Sequence, residues 1–150
     1  MIKQLLVLAL LLGAPLVPAR AEVVVVSNDP GGNVLQYQAR RRELAKAEQV
    51  RIQGYCNSAC TIFTTLPNVC VGPKATFGFH GASPKTGVPQ VDYFLDMQIG
   101  QFYRGEVRRR FIDKWRFHLG SKDLHYISAE RLVQLDPKIR ICPSPKRKNG

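Results

Sequence analysis

Apolar positions run along this chain in two rhythms. Val23 to Val26 are four consecutive valines, and a β-branched run of that length predicts a buried strand. It stops at Ser27-Asn28-Asp29-Pro30-Gly31-Gly32, which is turn chemistry throughout. From Asn33 to about Gln49 the spacing becomes helical. Val34, Tyr37, Arg41 and Leu44 recur on one face, Ala47 or Glu48 closes the stripe, and Leu35 and Ala45 widen it. Asn33 is placed to cap this helix. Val50 to Tyr55 then predicts a short alternating strand, and Asn57 to Leu66 a small apolar helix. Val69 to Val71 predicts a brief strand ended by Pro73, and Ala75 to Phe79 a weakly alternating strand that runs into His80.

Gly81 to Pro89 is rich in Gly, Pro and Ser and predicts a loop. Val91 to Leu119 is helical in pattern, with Gly100 and Gly105 as its dividing points. Ser128 to Leu135 predicts a short helix capped by Ser128, with a strand end or loop just before it. The order strand, helix, strand, helix, strand, strand implies an α/β layered domain with a mainly parallel sheet.

The first 21 residues stand apart. Lys3 precedes the apolar run Leu5 to Leu12, Pro15 and Pro18 break it, and Ala19-Arg20-Ala21 has the form of a cleavage site. This reads as a secretory signal peptide, with the mature chain starting at Glu22 in the periplasm or outside the cell. Residues 22–142 then form the domain and 143–150 a basic tail. With 150 residues and 45% hydrophobic content, one domain with a small core is expected, neither disordered nor polytopic. Export excludes cytosolic roles and work driven by ATP.

Net charge is +11, and removing Lys3 and Arg20 leaves +9. The dense runs are Arg40-Arg41-Arg42, Arg108-Arg109-Arg110 and Lys146-Arg147-Lys148. No nucleic-acid-binding signature accompanies them, so they read first as a solvated surface, and second as a binder of an anionic envelope polymer. Four cysteines, Cys56, Cys60, Cys70 and Cys142, are an even number, which export allows to form disulfides in any of three pairings. Their spacing fits neither a redox motif nor a zinc site.

Three features carry candidate chemistry. Pro30-Gly31-Gly32, between a strand and a helix, offers consecutive N–H groups that form a small anion-binding concavity. In Gly54-Tyr55-Cys56-Asn57-Ser58-Ala59-Cys60, a serine sits where a strand passes into a helix, flanked by small residues. Its alternative role is plain capping. In Gly78-Phe79-His80-Gly81, a histidine ends an apolar strand, and histidine is the natural base for a serine hydroxyl near neutral pH.

In this order the features resemble the Clp protease proteolytic subunit and its relatives in the Clp/crotonase superfamily, above all small exported members with a Gly-Tyr-Cys-x-Ser-Ala-Cys core. The resembling segment covers most of Val23 to Leu135. It implies a reduced Clp/crotonase-like fold with Ser58 as nucleophile and His80 as base. The family's third member, an aspartate before a phrase like Phe-Leu-Ser-Ala-x-Glu-Ala, matches Asp123 with a one-residue offset, and Asp92 and Asp96 are rivals. Backbone N–H groups of Gly32 and Ala59 are the implied oxyanion hole. The implied function is a serine hydrolase, a peptidase of exported or envelope peptides, working without an ATPase partner, alone or as a small homo-oligomer. No cofactor, metal or nucleic acid is expected, since the acyl-coenzyme A chemistry of the crotonase branch has little access to that cofactor outside the cytosol. The alternative is a non-catalytic binding module for an envelope protein or peptide.

Overall fold

The computed structural model describes residues 22–144. The signal peptide expected over residues 1–21 and residues 145–150 of the expected tail lie outside the described residues. Among the described residues, five strands and four α-helices occur in the order β1 (Val23–Asp29), α1 (Val34–Leu44), β2 (Gln49–Asn57), β3 (Val69–Val71), β4 (Thr76–Phe79), α2 (Pro89–Gly100), α3 (Gly105–Asp113), β5 (His125–Ser128) and α4 (Ala129–Leu135). Two 3₁₀ helices, Ser58–Thr65 and Trp115–Phe117, lie between them. The result is an α/β fold whose sheet is parallel except for one pair.

The sheet is built around β2. Its first half pairs with β3 through Val50, Arg51 and Ile52, and its second half with β4 through Tyr55, Cys56 and Asn57, both parallel. β1 lies parallel on the other side, and β5 closes the far edge antiparallel to β4, with Phe79 opposite His125. The C-terminal ends of β1, β2 and β4 therefore lie side by side. This end of a parallel sheet is where α/β folds bind their ligands.

β1 departs from the expected buried strand. It has one neighbour, β2, so its valines alternate: Val26 is buried, while Val23 and Val25 are about half exposed. The core lies on the other face, where Val26, Val50, Ile52, Ile62, Phe77 and Phe79 are closed from water. Each such side chain contributes about 1.5–3 kcal/mol. An aromatic group extends it behind β4: Phe79 packs against Tyr103 at 5.4 Å and Trp115 at 4.8 Å between ring centres.

Caps fall where the side-chain chemistry places them. Asn33 accepts from the Gln36 N–H at 3.2 Å, and Ser128 from the Arg131 N–H at 3.1 Å. α1 stops at Leu44, short of Gln49, because Asn68 Nδ2 takes the carbonyls of Leu44 (2.9 Å) and Ala47 (2.8 Å) and turns the chain into β2. The helical region from Val91 onward is divided as Gly100 and Gly105 suggest, for α2 ends at one and α3 begins at the other. At Gly100 a Cβ would stand 2.7 Å from the Phe111 ring, so the two helices meet through a missing side chain.

The arginine runs are less free than their number implies. Arg40 binds Asp29 at 2.8 Å, and Arg41 donates to the carbonyls of Ile62 (2.7 Å) and Thr65 (3.2 Å) at the end of the first 3₁₀ helix. Arg109 and Arg110 both engage Glu106. All four cysteines are paired, Cys56 with Cys60 and Cys70 with Cys142. The second bond holds the C-terminal segment beside β3, where Cys142 N–H donates to the Val71 carbonyl at 2.8 Å.

Candidate active site

Two sharp turns at the ends of β1 and β2 meet face to face. In the first, the buried Asp29 carboxylate accepts from Gly31 N–H (2.9 Å), Arg40 (2.8 Å) and the Tyr37 hydroxyl. Burial, together with that bond to Asp29, pushes the Tyr37 phenol up to about 12, so it stays a donor. Gly31 adopts φ +81°, which glycine reaches freely. A Cβ there would lie 2.5 Å from the Asn57 carbonyl and 2.7 Å from Ser58 Cβ. Only glycine lets the two turns come this close.

The second turn carries Ser58. Its φ is +53°, in the left-handed region that a non-glycine residue enters at a cost of about 1–3 kcal/mol. Ser58 thus stands at a strained turn between a strand and a helix, the position that a nucleophile on a tight elbow takes. The Cys56–Cys60 disulfide closes around it, and both cysteines are buried. The small apolar helix expected here is a 3₁₀ helix over Ser58–Thr65. Thr61, Thr64 and Thr65 each turn their hydroxyls onto the carbonyl three residues back, at 2.6, 2.7 and 3.2 Å, which competes with the α pattern.

His80 stands at the end of β4. Ser58 and His80 together line two hollows. One, of about 470 Å³, is completed by Pro30, Tyr55, Asn57, Ser121, Leu124 and Tyr126. The other, of about 230 Å³, reaches Gly32, Ala82, Leu95 and Ile99. A further hollow of about 300 Å³, lined by Arg51, Lys74 and Pro143 among others, includes neither Ser58 nor a histidine.

The His80 imidazole contacts the Gly81 carbonyl through Nδ1. A carbonyl oxygen only accepts, so Nδ1 is the protonated nitrogen and neutral His80 keeps its lone pair on Nε2. Burial lowers the imidazole pKa below its ordinary 6.5, and Lys85 adds to the fall, while the Gly81 carbonyl, Asp96 and Asp123 oppose it. His80 is therefore neutral around pH 7, in the tautomer that a general base needs.

The three aspartates differ in what they hold. Asp123 accepts from His118 Nδ1 at 2.8 Å and from the Leu119 N–H at 3.1 Å. These bonds hold its carboxyl below the usual range. It reaches His80 through its field and not through a hydrogen bond. Asp92 binds the N–H and hydroxyl of Thr86. Asp96 is wholly buried and holds Ala82 N–H, Lys85 and Arg116. Among the described residues no hydrogen bond joins Ser58 to His80, and none joins His80 to a carboxylate.

No protein-family model matches this chain, and no curated protein matches it in sequence. The site therefore stands on its own geometry.

The two candidate oxyanion donors, the N–H groups of Gly32 and Ala59, flank Ser58 on the two turns. Gly31 N–H is taken by Asp29, while Gly32 N–H has no acceptor among the described residues. Ala59 lies in the first turn of its helix, where N–H groups have no intrahelical acceptor. Sequence reasoning missed Tyr126 and Asn57. Tyr126 comes into the cleft because β5 pairs it with Gly78, and its hydroxyl accepts from Asn57 Nδ2 at 3.4 Å. The alternation Tyr126, Ser128 carried that signal weakly, since four residues make a faint strand pattern.

His118 and His125 lie against each other at 5.6 Å between ring centres, with their planes tilted by 47°. His125 lies over Trp115 at 4.7 Å between ring centres, and Trp115 is buried.

Proposed function

We propose that this protein is a serine hydrolase that cleaves peptides. One observation carries the reading: Ser58, held at φ +53° in a disulfide-closed turn, shares both of its hollows with a neutral His80 whose Nε2 is free to accept. Ser58 Oγ attacks the acyl carbon while its proton passes to Nε2. The oxyanion settles between the N–H groups of Gly32 and Ala59. As the tetrahedral intermediate collapses, the C–N bond breaks and the leaving amine takes the proton from His80. Water then repeats the sequence on the acyl-enzyme and restores Ser58. Asp123 favours the transient imidazolium by its charge, and its hydrogen bonds fix the loop that carries Ser121 and Leu124 into the cleft.

Hollows on both sides of Ser58 suit an extended chain that crosses it, with one residue seated toward Tyr126 and another toward Leu95. Four paired cysteines suit an oxidising compartment outside the cytosol. The relationship to the Clp/crotonase superfamily belongs to the same proposal and rests on the turn, serine and histidine order.

A second reading, binding without turnover, is favoured by one observation: Asp123 holds His118, and His80 has no bonded carboxylate among the described residues. Labelling of the oxidised protein with a fluorophosphonate separates the two. The hydrolase reading expects a single adduct on Ser58, abolished by Ser58→Ala and strongly slowed by His80→Ala. A folded protein that takes up no label is a binding module.

A further inference from the structure

The bonding pattern links His80 to a buried carboxylate through a single peptide group. Its Nδ1–H donates to the carbonyl of Gly81. The N–H of the same peptide group, that of Ala82, donates to Asp96 Oδ1 at 2.6 Å. The planar trans peptide points these two bonds in opposite directions. Its positive end therefore faces the carboxylate and its negative end the imidazole. A charge on the N–H side enriches the carbonyl oxygen, and hydrogen bonds in series strengthen one another.

We propose that Asp96 is the positioning residue for His80, acting through the Gly81–Ala82 peptide in the place a directly bonded carboxylate would hold. The inference rests on the reading of His80 as the base.

Gly81 supports it independently. A Cβ there would lie 2.5 Å from Asp96 Oδ1, 2.7 Å from Lys85 Nζ and 2.1 Å from the Arg116 carbonyl. The peptide thus lies directly on the carboxylate only because residue 81 has no side chain. Gly81 N–H, in the preceding peptide group, also donates to the His118 carbonyl at 3.3 Å and holds Gly81 from its N-terminal side. Asp96 is itself immobilised by Lys85 at 2.7 Å and Arg116 at 3.1 Å. Arg116 is in turn held between the rings of Tyr93 (5.3 Å) and Phe117 (4.2 Å). The charged groups that bear on His80 are Lys85, Asp96 and Asp123, with Arg116 and His118 one contact further out.

The test is nitrogen-15 NMR of the His80 ring in the full, disulfide-bonded chain, which needs no turnover. The neutral wild-type ring is expected as the Nδ1–H tautomer. Asp96→Asn, which keeps an acceptor but removes the charge, is expected to shift the population toward Nε2–H and to lower the titration midpoint. Asp123→Asn is expected to leave the tautomer unchanged. Fluorophosphonate labelling of Asp96→Asn should slow by about tenfold or more. If Asp96→Asn does not fold with Lys85 left unpaired, the double variant Lys85→Met, Asp96→Asn replaces it. A wild-type ring in the Nε2–H form overturns the proposal, and so does a tautomer that responds to Asp123→Asn and not to Asp96→Asn. A tautomer that responds to Asp96 in a protein that never labels supports the positioning role and removes the hydrolase reading instead.

Discussion

Gly31 and Gly87 share a backbone angle and differ in everything around it. Both have φ +81°. An L-residue in the left-handed region costs about 1–2 kcal/mol. At Gly87 nothing lies within 4 Å of the point a Cβ would occupy, so Gly87→Ala should lose that amount alone. At Gly31 the same methyl would meet the Asn57 carbonyl at 2.5 Å, Ser58 Cβ at 2.7 Å and Ala59 N at 3.0 Å. Comfortable carbon contacts begin near 3.5 Å, so the two turns must part by about an ångström. Overpacking of this kind adds about 1–3 kcal/mol. Gly31→Ala should therefore lose about 2–5 kcal/mol against about 1–2 kcal/mol for Gly87→Ala. Alanine also restricts the unfolded chain, but by the same amount at both sites, so that term cancels in the comparison. Urea unfolding followed by circular dichroism reads the difference directly. Midpoints for the two variants that coincide would refute the claim that the Gly31 and Ser58 turns are in contact.

Phe79→Ala removes a closed ring between Tyr103 and Trp115 and should cost about 3–5 kcal/mol in the same urea assay, where a loss below about 1 kcal/mol would contradict the packing. Arg41→Met deletes two charge-assisted bonds to the end of the 3₁₀ helix and should cost about 1.5–3 kcal/mol, seen as a lower melting temperature at unchanged secondary structure. Labelling of Ser58 should rise with pH along a single limb centred below 6.5, since burial disfavours the imidazolium of His80. A limb centred above 6.5 would count against a buried base. Stability should move the same way: the folded His80 and His125 resist protonation, so below about pH 6.5 the unfolded state gains protons first and stability falls as pH falls. Calorimetry between about pH 5 and 7.5 checks the sign.

Much of the fold was legible because local chemistry and position agreed. Asn33 and Ser128 cap helices as their side chains suggest, and glycines at 100 and 105 mark the break between α2 and α3. Turn residues at 29–32 and the apolar end of β4 placed both halves of the cleft at one edge of the sheet. What was hidden depended on contacts distant in sequence. The valines of β1 looked buried on both faces because nothing local reports that β1 has only one neighbour. Asn68, 24 residues from Leu44, ends α1. The threonines after Ser58 tighten a helix whose apolar pattern is equally good for either winding. At the site, the settings of Ser58 and His80 marked them as candidates, and both line the same two hollows. The sequence offered Asp96 only as a rival to Asp123, for the two bonds that run through the Gly81–Ala82 peptide leave no spacing rule between His80 and Asp96.

The bond between Cys70 and Cys142 divides the chain in a way the sheet conceals. It closes one covalent ring that contains His80, Asp96, Arg116 and Asp123. Ser58 lies outside that ring, and its own disulfide, Cys56–Cys60, makes no link to it. A cut in the Gly81–Pro89 loop leaves every part of the ring tethered. A cut at the exposed Pro67 turn leaves the serine arm and the histidine ring with no covalent link, held by the pairing of β2 with β3 and β4, by the core between them and by side-chain bonds such as those of Asn57 to Tyr126 and Thr61 to Tyr103. The candidate nucleophile and the candidate base thus belong to two pieces that one short turn alone joins covalently, and the sheet is what holds them side by side.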